Sequence, residues 1–128
     1  MNGIVDHRGR ALLNVSIRPT EDGLESPIDV WVDTGFTGDL ILPRQLIEQL
    51  GLRESSVVKA AMGDGRQAEM DTFRARINWF GEDRDVEVIV STGQNTLLGV
   101  RLMLGRRLVV DYGALAGTKN GFVTRTPL

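Results

Sequence analysis

Between Ile28 and Asp33 the chain alternates strictly: Ile28, Val30 and Val32 face one way, and Asp29, Trp31 and Asp33 face the other. A period of two is the signature of a strand with one buried face. ALLNVSIR (11–18) is apolar with partial alternation and also reads as a strand. TEDGLESP (20–27) between them is turn-rich, TGFTG (34–38) interrupts with two glycines, and LIL (40–42) resumes as a short strand. The period then changes. In PRQLIEQLGL (43–52), Pro43 suits a first helical turn, Leu46, Ile47 and Leu50 share a face, and Gly51 stands where a helix stops.

Residues 57–80 read as a hairpin tipped by GDG (63–65), GED (81–83) as a second turn, and DVEVIVS (85–91) as a strand. TLLGVRLMLGRR (96–107) reads as a short strand feeding a short helix, and RLVVDY (107–112) as another strand. The tail NGFVTRTPL (120–128) either closes the sheet or pairs with a partner. The expectation is a mostly β domain with one or two short helices, either a small barrel or a sandwich. Fifteen glycines in 128 residues agree with many turns, and the length suits one domain over 1–128.

Composition narrows the chemistry. A hydrophobic content of 41% beside 25% charged residues is that of an ordinary soluble globular protein. A net charge of -2 with interspersed signs gives no basis for nucleic acid or an anionic membrane as partner. Cysteine is absent, so thiolate chemistry and disulfides are excluded. The N-terminus carries no apolar run suited to a signal peptide, and no stretch approaches a membrane span, so the expected location is the cytoplasm.

Asp33-Thr34-Gly35 is the segment that suggests chemistry. Asp and Gly are common in turns, because Asp bonds nearby amides and Gly accepts positive φ. Here, however, the Asp ends an apolar strand and a second apolar strand follows within a few residues. The carboxylate is thus expected at the rim of a core, where removal from water is costly without a partner or a proton.

VDTGFTGDLIL resembles the active-site loop of retropepsin-like aspartic proteases, and NTLLGVRLM (95–103) resembles that family's second signature, two apolar residues and a Gly before a short helix. Order and spacing fit, with the glycine-tipped hairpin between the two motifs; the likeness covers roughly residues 28–112. It implies a closed barrel of retropepsin type, homodimeric, of the cellular or bacterial single-domain kind, hydrolysing a peptide or protein substrate without cofactor or metal. In that family, two carboxylates about 3 Å apart share one proton, so one takes a proton from water while the other gives one to the carbonyl. One such Asp per chain implies that each subunit supplies one Asp33 across a two-fold axis.

By the same likeness, Thr34 would bond across the dimer, and Gly35 would let backbone approach water and substrate. Leu97, Leu98 and Gly99 would pack behind the loop. The hairpin from Ala61 to Met70, with Met62, Gly63, Asp64 and Gly65 at its end, would be a flap over an extended peptide. Phe36 stands where viral members usually have a small residue, so it either shrinks a subsite or packs inward. Viral members also pair an Arg after the second-motif Gly with an acid near the first loop; those positions are Val100 and Thr37 here, with Arg101 one residue late, so that ion pair is expected to be absent. The C-terminal segment departs from the viral pattern, so the dimer is expected to be weaker or differently built.

Other readings are weaker. Asp29, Asp33 and Asp39 lie close in sequence, but not in a loop with alternating ligands, and His7, the sole histidine, reads as a solvated surface residue. GDGR lacks the Lys-Ser/Thr of a phosphate loop. Trp31 and Trp79 are expected to pack in the core or a dimer contact. The principal alternative is a catalytically silent fold serving as a dimerisation or peptide-binding module. The intact Asp33-Thr34-Gly35 argues against it; Phe36 and the absent Arg argue mildly for it.

Overall fold

The computed structural model describes residues 3–61, 65, 67–112 and 121–124. The chain is mostly β, in the order β1 (Gly3–Val5), β2 (Ala11–Arg18), β3 (Ser26–Val32), β4 (Leu40–Pro43), α1 (Arg44–Leu50), β5 (Arg53–Ala61), β6 (Gln67–Trp79), β7 (Glu82–Ser91), β8 (Leu97–Leu98), α2 (Val100–Met103), β9 (Arg107–Val110) and β10 (Gly121–Thr124). Eight strands pair in the order β1-β2-β3-β8-β4-β7-β6-β5. A further antiparallel ladder joins β2 to β6, so hydrogen bonding returns on itself through β2-β3-β8-β4-β7-β6. No helix among the described residues is long and apolar enough to cross a membrane.

The alternation read from sequence sorts the side chains. Leu13, Val15 and Ile17 of β2, Ile28 and Val30 of β3, and Val86 and Val88 of β7 point into one core, with Trp79 at its centre and fully buried. Each such burial is worth about 1.5–3 kcal/mol before entropy is counted. Helix α1 covers this core with Ile47, Leu46 and Leu50. It stops because Gly51 takes the left-handed conformation (φ 69°, ψ 33°), which lets Gly51 N–H bond Glu48 O and Leu52 N–H bond Ile47 O. Pro43 caps the helix and ends β4, one position before the first helical turn where it was expected.

Three local features differ from the sequence expectation. Gly3–Val5 forms a strand on β2; at three residues it is too short for its alternation to register. The β6–β7 turn lies at Phe80 and Gly81 rather than 81–83, since Trp79 pairs with Glu82. Both turn residues have positive φ, 54° and 82°, as a two-residue turn of this twist requires. Phe80 accepts that backbone because its ring packs edge-on against Trp79 and under the Arg106 guanidinium, 4.2 Å from the ring centre. Finally, β10 pairs antiparallel with β9 of its own chain, so residues 121–124 do not extend the large sheet.

Closing the ring creates an electrostatic problem. The β2–β6 ladder sets Arg18 directly opposite Arg76. Asp83 solves it from β7: one carboxylate oxygen lies 2.7 Å from Arg18, the other accepts from Arg76 at 2.7 and 3.0 Å. The Arg76 hydrogen bond, aided by the charge of Arg18, holds the Asp83 carboxyl below its ordinary value. A carboxyl with a lowered folded-state pKa adds stability above the unfolded value of about 3.9 and loses it as pH falls through the folded value. We therefore expect Asp83→Asn to lower Tm at neutral pH, with the gap from wild type closing below about pH 4. A gap independent of pH in thermal melts between about pH 2 and 7 would remove this role.

Candidate active site

Asp33 follows the last residue of β3, on the outward face it shares with Trp31 and Asp29. Its backbone N–H donates to Leu98 O at 2.9 Å, which ties the loop to β8. One carboxylate oxygen, Oδ1, accepts the Gly35 N–H at 2.8 Å, closing a turn of the kind Asp favours. A Cβ on residue 35 would lie 3.1 Å from that oxygen, so glycine gives the turn its room. The second oxygen has no hydrogen-bond partner among the described residues. Asp33 is half-buried and lines an open recess of about 380 Å³ with Trp31, Val32, Thr34, Asn95 and Leu97.

The loop from Asp33 to Asp39 is stitched to the β8–α2 turn by backbone hydrogen bonds. Gly99 N–H donates to Asp39 O (2.8 Å), Val100 N–H to Phe36 O (2.8 Å) and Arg101 N–H to Gly38 O (3.2 Å). The two segments are in contact: a Cβ on Gly99 would fall 2.1 Å from Gly38 O and 2.6 Å from the Phe36 ring. The Phe36 ring lies over Gly38 and Gly99 instead of entering the core, and stays half-exposed. It lines a second recess of about 430 Å³ with Gly35, Ile41, Met70, Ile89 and Arg101. Leu98 is fully buried, whereas Leu97 turns outward into the Asp33 recess.

An outward row joins the two recesses. Strand register sets Trp31 beside Leu97, Leu97 beside Ile41, and Ile41 beside Ile89, across β3, β8, β4 and β7. All four are half-buried. Trp31 therefore does not take the core position that was one of its two expected placements; alternation turns it out, and the Arg10 guanidinium lies 5.7 Å above its ring. Trp79 is in the core. Of the expected flap end, Gly65 is exposed with φ +87°, and Met62, Gly63 and Asp64 lie outside the described residues.

Sequence reasoning missed the role of Asp39. It is buried, its Oδ2 accepts the Glu87 N–H at 3.0 Å, and Arg101 Nη1 stands 3.8 Å away. Thr37 and Val100 carry no charge to pair, as expected, but a different ion pair joins the Asp loop to the segment after Gly99. It is formed by Asp39, which is turned inward, and Arg101. The only signal was Arg101 standing one residue late. Asp29, by contrast, is exposed and bonded by Asn14 at 3.0 Å, so the three aspartates are not gathered. Among the described residues no group of three His, Cys, Asp or Glu is placed to hold a metal.

The Gly99 contact is backbone on backbone and has no flexible end to yield. We expect Gly99→Ala to cost about 3 kcal/mol or more in urea denaturation. Adding Phe36→Ala should not rescue it, since the Gly38 carbonyl clash remains. Full rescue by the second change would place the constraint in the ring instead.

No family model matches the chain, and no curated protein does. Among solved structures it is similar to EIAV protease complexed with the inhibitor HBY-793, at 22% identity over 79% of this chain and 93% of that one, with a TM-score of 0.57. It is also similar to the retroviral protease-like domain of Ddi1 from Leishmania major, at 17% identity over 91% and 98% of the two chains, with a TM-score of 0.47. On the first of these likenesses, together with the strand order and the Asp33 and Gly99 segments set against each other, the chain has a retropepsin-like fold.

Proposed function

We propose that the chain is an aspartic endopeptidase of retropepsin type: a single domain whose strand ring is a closed barrel, active as a homodimer. The observation that carries this reading is Asp33 itself. Its loop is fixed by backbone bonds, one oxygen is tied to Gly35 N–H, and the other, beside a recess, has no partner among the described residues. In a retropepsin-like fold such a carboxylate is suited to acid–base work on a bound water.

Two Asp33 side chains, one from each subunit, would share one proton, because like charges at about 3 Å cannot both ionise. The ionised member takes a proton from water as the oxygen attacks the peptide carbonyl carbon. The protonated member gives its proton to the carbonyl oxygen, and the resulting diol collapses with proton transfer to the amine nitrogen. The pair titrates as a unit. Thr34, exposed at the loop's crown, would bond its counterpart across the axis. Phe36 and residues 62–65 would contact a peptide or protein substrate, while Leu97, Leu98 and Gly99 support the loop. No cofactor enters this chemistry, and the cytoplasm is the setting we assign.

Asp33→Asn tests the chemistry cleanly, because the asparagine oxygen can still accept the Gly35 N–H and keep the turn. We expect the variant to fold normally and to lose at least about 1,000-fold in cleavage of a diverse peptide library read by mass spectrometry. Retained activity would end the mechanism. Absence of cleavage by dimeric wild type would favour the silent peptide-binding module. Activity per subunit should also fall on dilution as dimers separate; a constant rate at concentrations shown by sedimentation to be monomeric would rule out a shared site.

A further inference from the structure

The recess beside Gly35 carries an unbalanced charge. Its floor is apolar, formed by Ile41 and Ile89 on adjacent strands with Phe36 and Met70 as walls. Two charged residues, Glu87 and Arg101, line it as well. Arg101 faces the buried Asp39 carboxylate, 3.8 Å away, so its charge is opposed within the protein. Glu87 is not balanced in this way. It stands two residues before Ile89 on the same outward face of β7, half-buried, and its side chain has no hydrogen-bond or ion-pair partner among the described residues. Arg74 lies opposite it across the β6–β7 ladder, but its guanidinium is engaged by Asp85. With Arg101 matched to Asp39 and Arg74 to Asp85, one negative charge remains among the described residues, at the edge of an apolar floor.

We propose that Glu87 is a specificity-determining residue of this site, and that the recess takes a basic side chain, lysine or arginine, of an extended peptide. The long methylenes of such a side chain would lie on Ile41, Ile89 and Phe36 while its cation meets Glu87, the division of labour that amphipathic side chains favour. Charge complementarity of this kind sets which partner binds more than how tightly. The inference rests on the proposed peptide-cleaving role, since it names the substrate class of that same site.

The test uses charge exchange at position 87 in the full chain. The Asp39 contact is to the backbone N–H of Glu87, so Glu87→Gln and Glu87→Lys leave it in place. A randomised peptide library is digested and each position about the cut is scored for basic against acidic residues. The same library is also captured by Asp33→Asn protein, alone and combined with each position-87 variant. Wild type should prefer Lys or Arg at one position by about three- to fivefold, Glu87→Gln should abolish the preference, and Glu87→Lys should turn it to Asp or Glu. Cleavage with no basic preference, or with one that Glu87→Lys leaves unchanged, overturns the inference while the protease reading stands. Capture of basic peptides that depends on Glu87, with no cleavage by wild type, does the reverse. Neither cleavage nor Glu87-dependent capture overturns both.

Discussion

The close approach of two backbones at Gly38 and Gly99 is the constraint on which the site depends. A carboxylate useful for acid–base chemistry must be held still, yet the five residues after Asp33 in its loop, 34–38, are all partly or fully exposed. Side-chain packing alone cannot fix such a loop. Backbone bonds do, between Leu98, Gly99, Val100 and Arg101 and residues 33–39, and the approach they need leaves no room for a Cβ on Gly99, while a Cβ on Gly38 would meet the Phe36 ring. The turn after β8 works as a template for the Asp loop. Short α2 then follows at once and anchors that template in the core through Leu102. Such preorganisation is worth more to catalysis than any single contact with a ligand.

The scaffold behind this template owes its rigidity to ring closure at the opposite end of β2. A two-residue ladder is a weak lock, and it brings two arginines together. Asp83 converts that repulsion into a bridge among β2, β6 and β7. The ring gives every strand an inner and an outer face. The inner face is the core; the outer face carries the row from Trp31 to Ile89. One periodicity thus builds both the stability of the fold and the floor of the candidate cleft.

That periodicity is why so much was legible from sequence. Strict alternation over 28–33 places Ile28 and Val30 inward and Asp33 outward, and the Leu97-Leu98-Gly99 run before a short helix announces the template. What escaped reading lies in the third dimension. The Asp39–Arg101 pair crosses 62 residues of sequence and depends on which way Asp39 turns after Gly38. The Phe80–Gly81 turn places an aromatic residue where composition suggests a strand, and only Trp79 and Arg106 make that tolerable. Glu87 looks like any outward carboxylate on a strand until its neighbours prove to be matched to others.

Under the proposed function, a single chain would present half of an acid–base pair. Peptide hydrolysis by this route uses one group that takes a proton from water and another that gives one to the carbonyl, and two carboxylates at close range divide those tasks. Within the chain no second carboxylate is placed to serve among the described residues. Asp29 is four residues back along an extended strand, about 13 Å away, and Asp39 is turned inward beneath the loop. Under the proposed function, the second oxygen of Asp33, unpartnered among the described residues, would serve peptide hydrolysis only when another acid is brought to it. The outward placement of Asp33 and Thr34 at an exposed crown leaves room for that acid to come from a second copy.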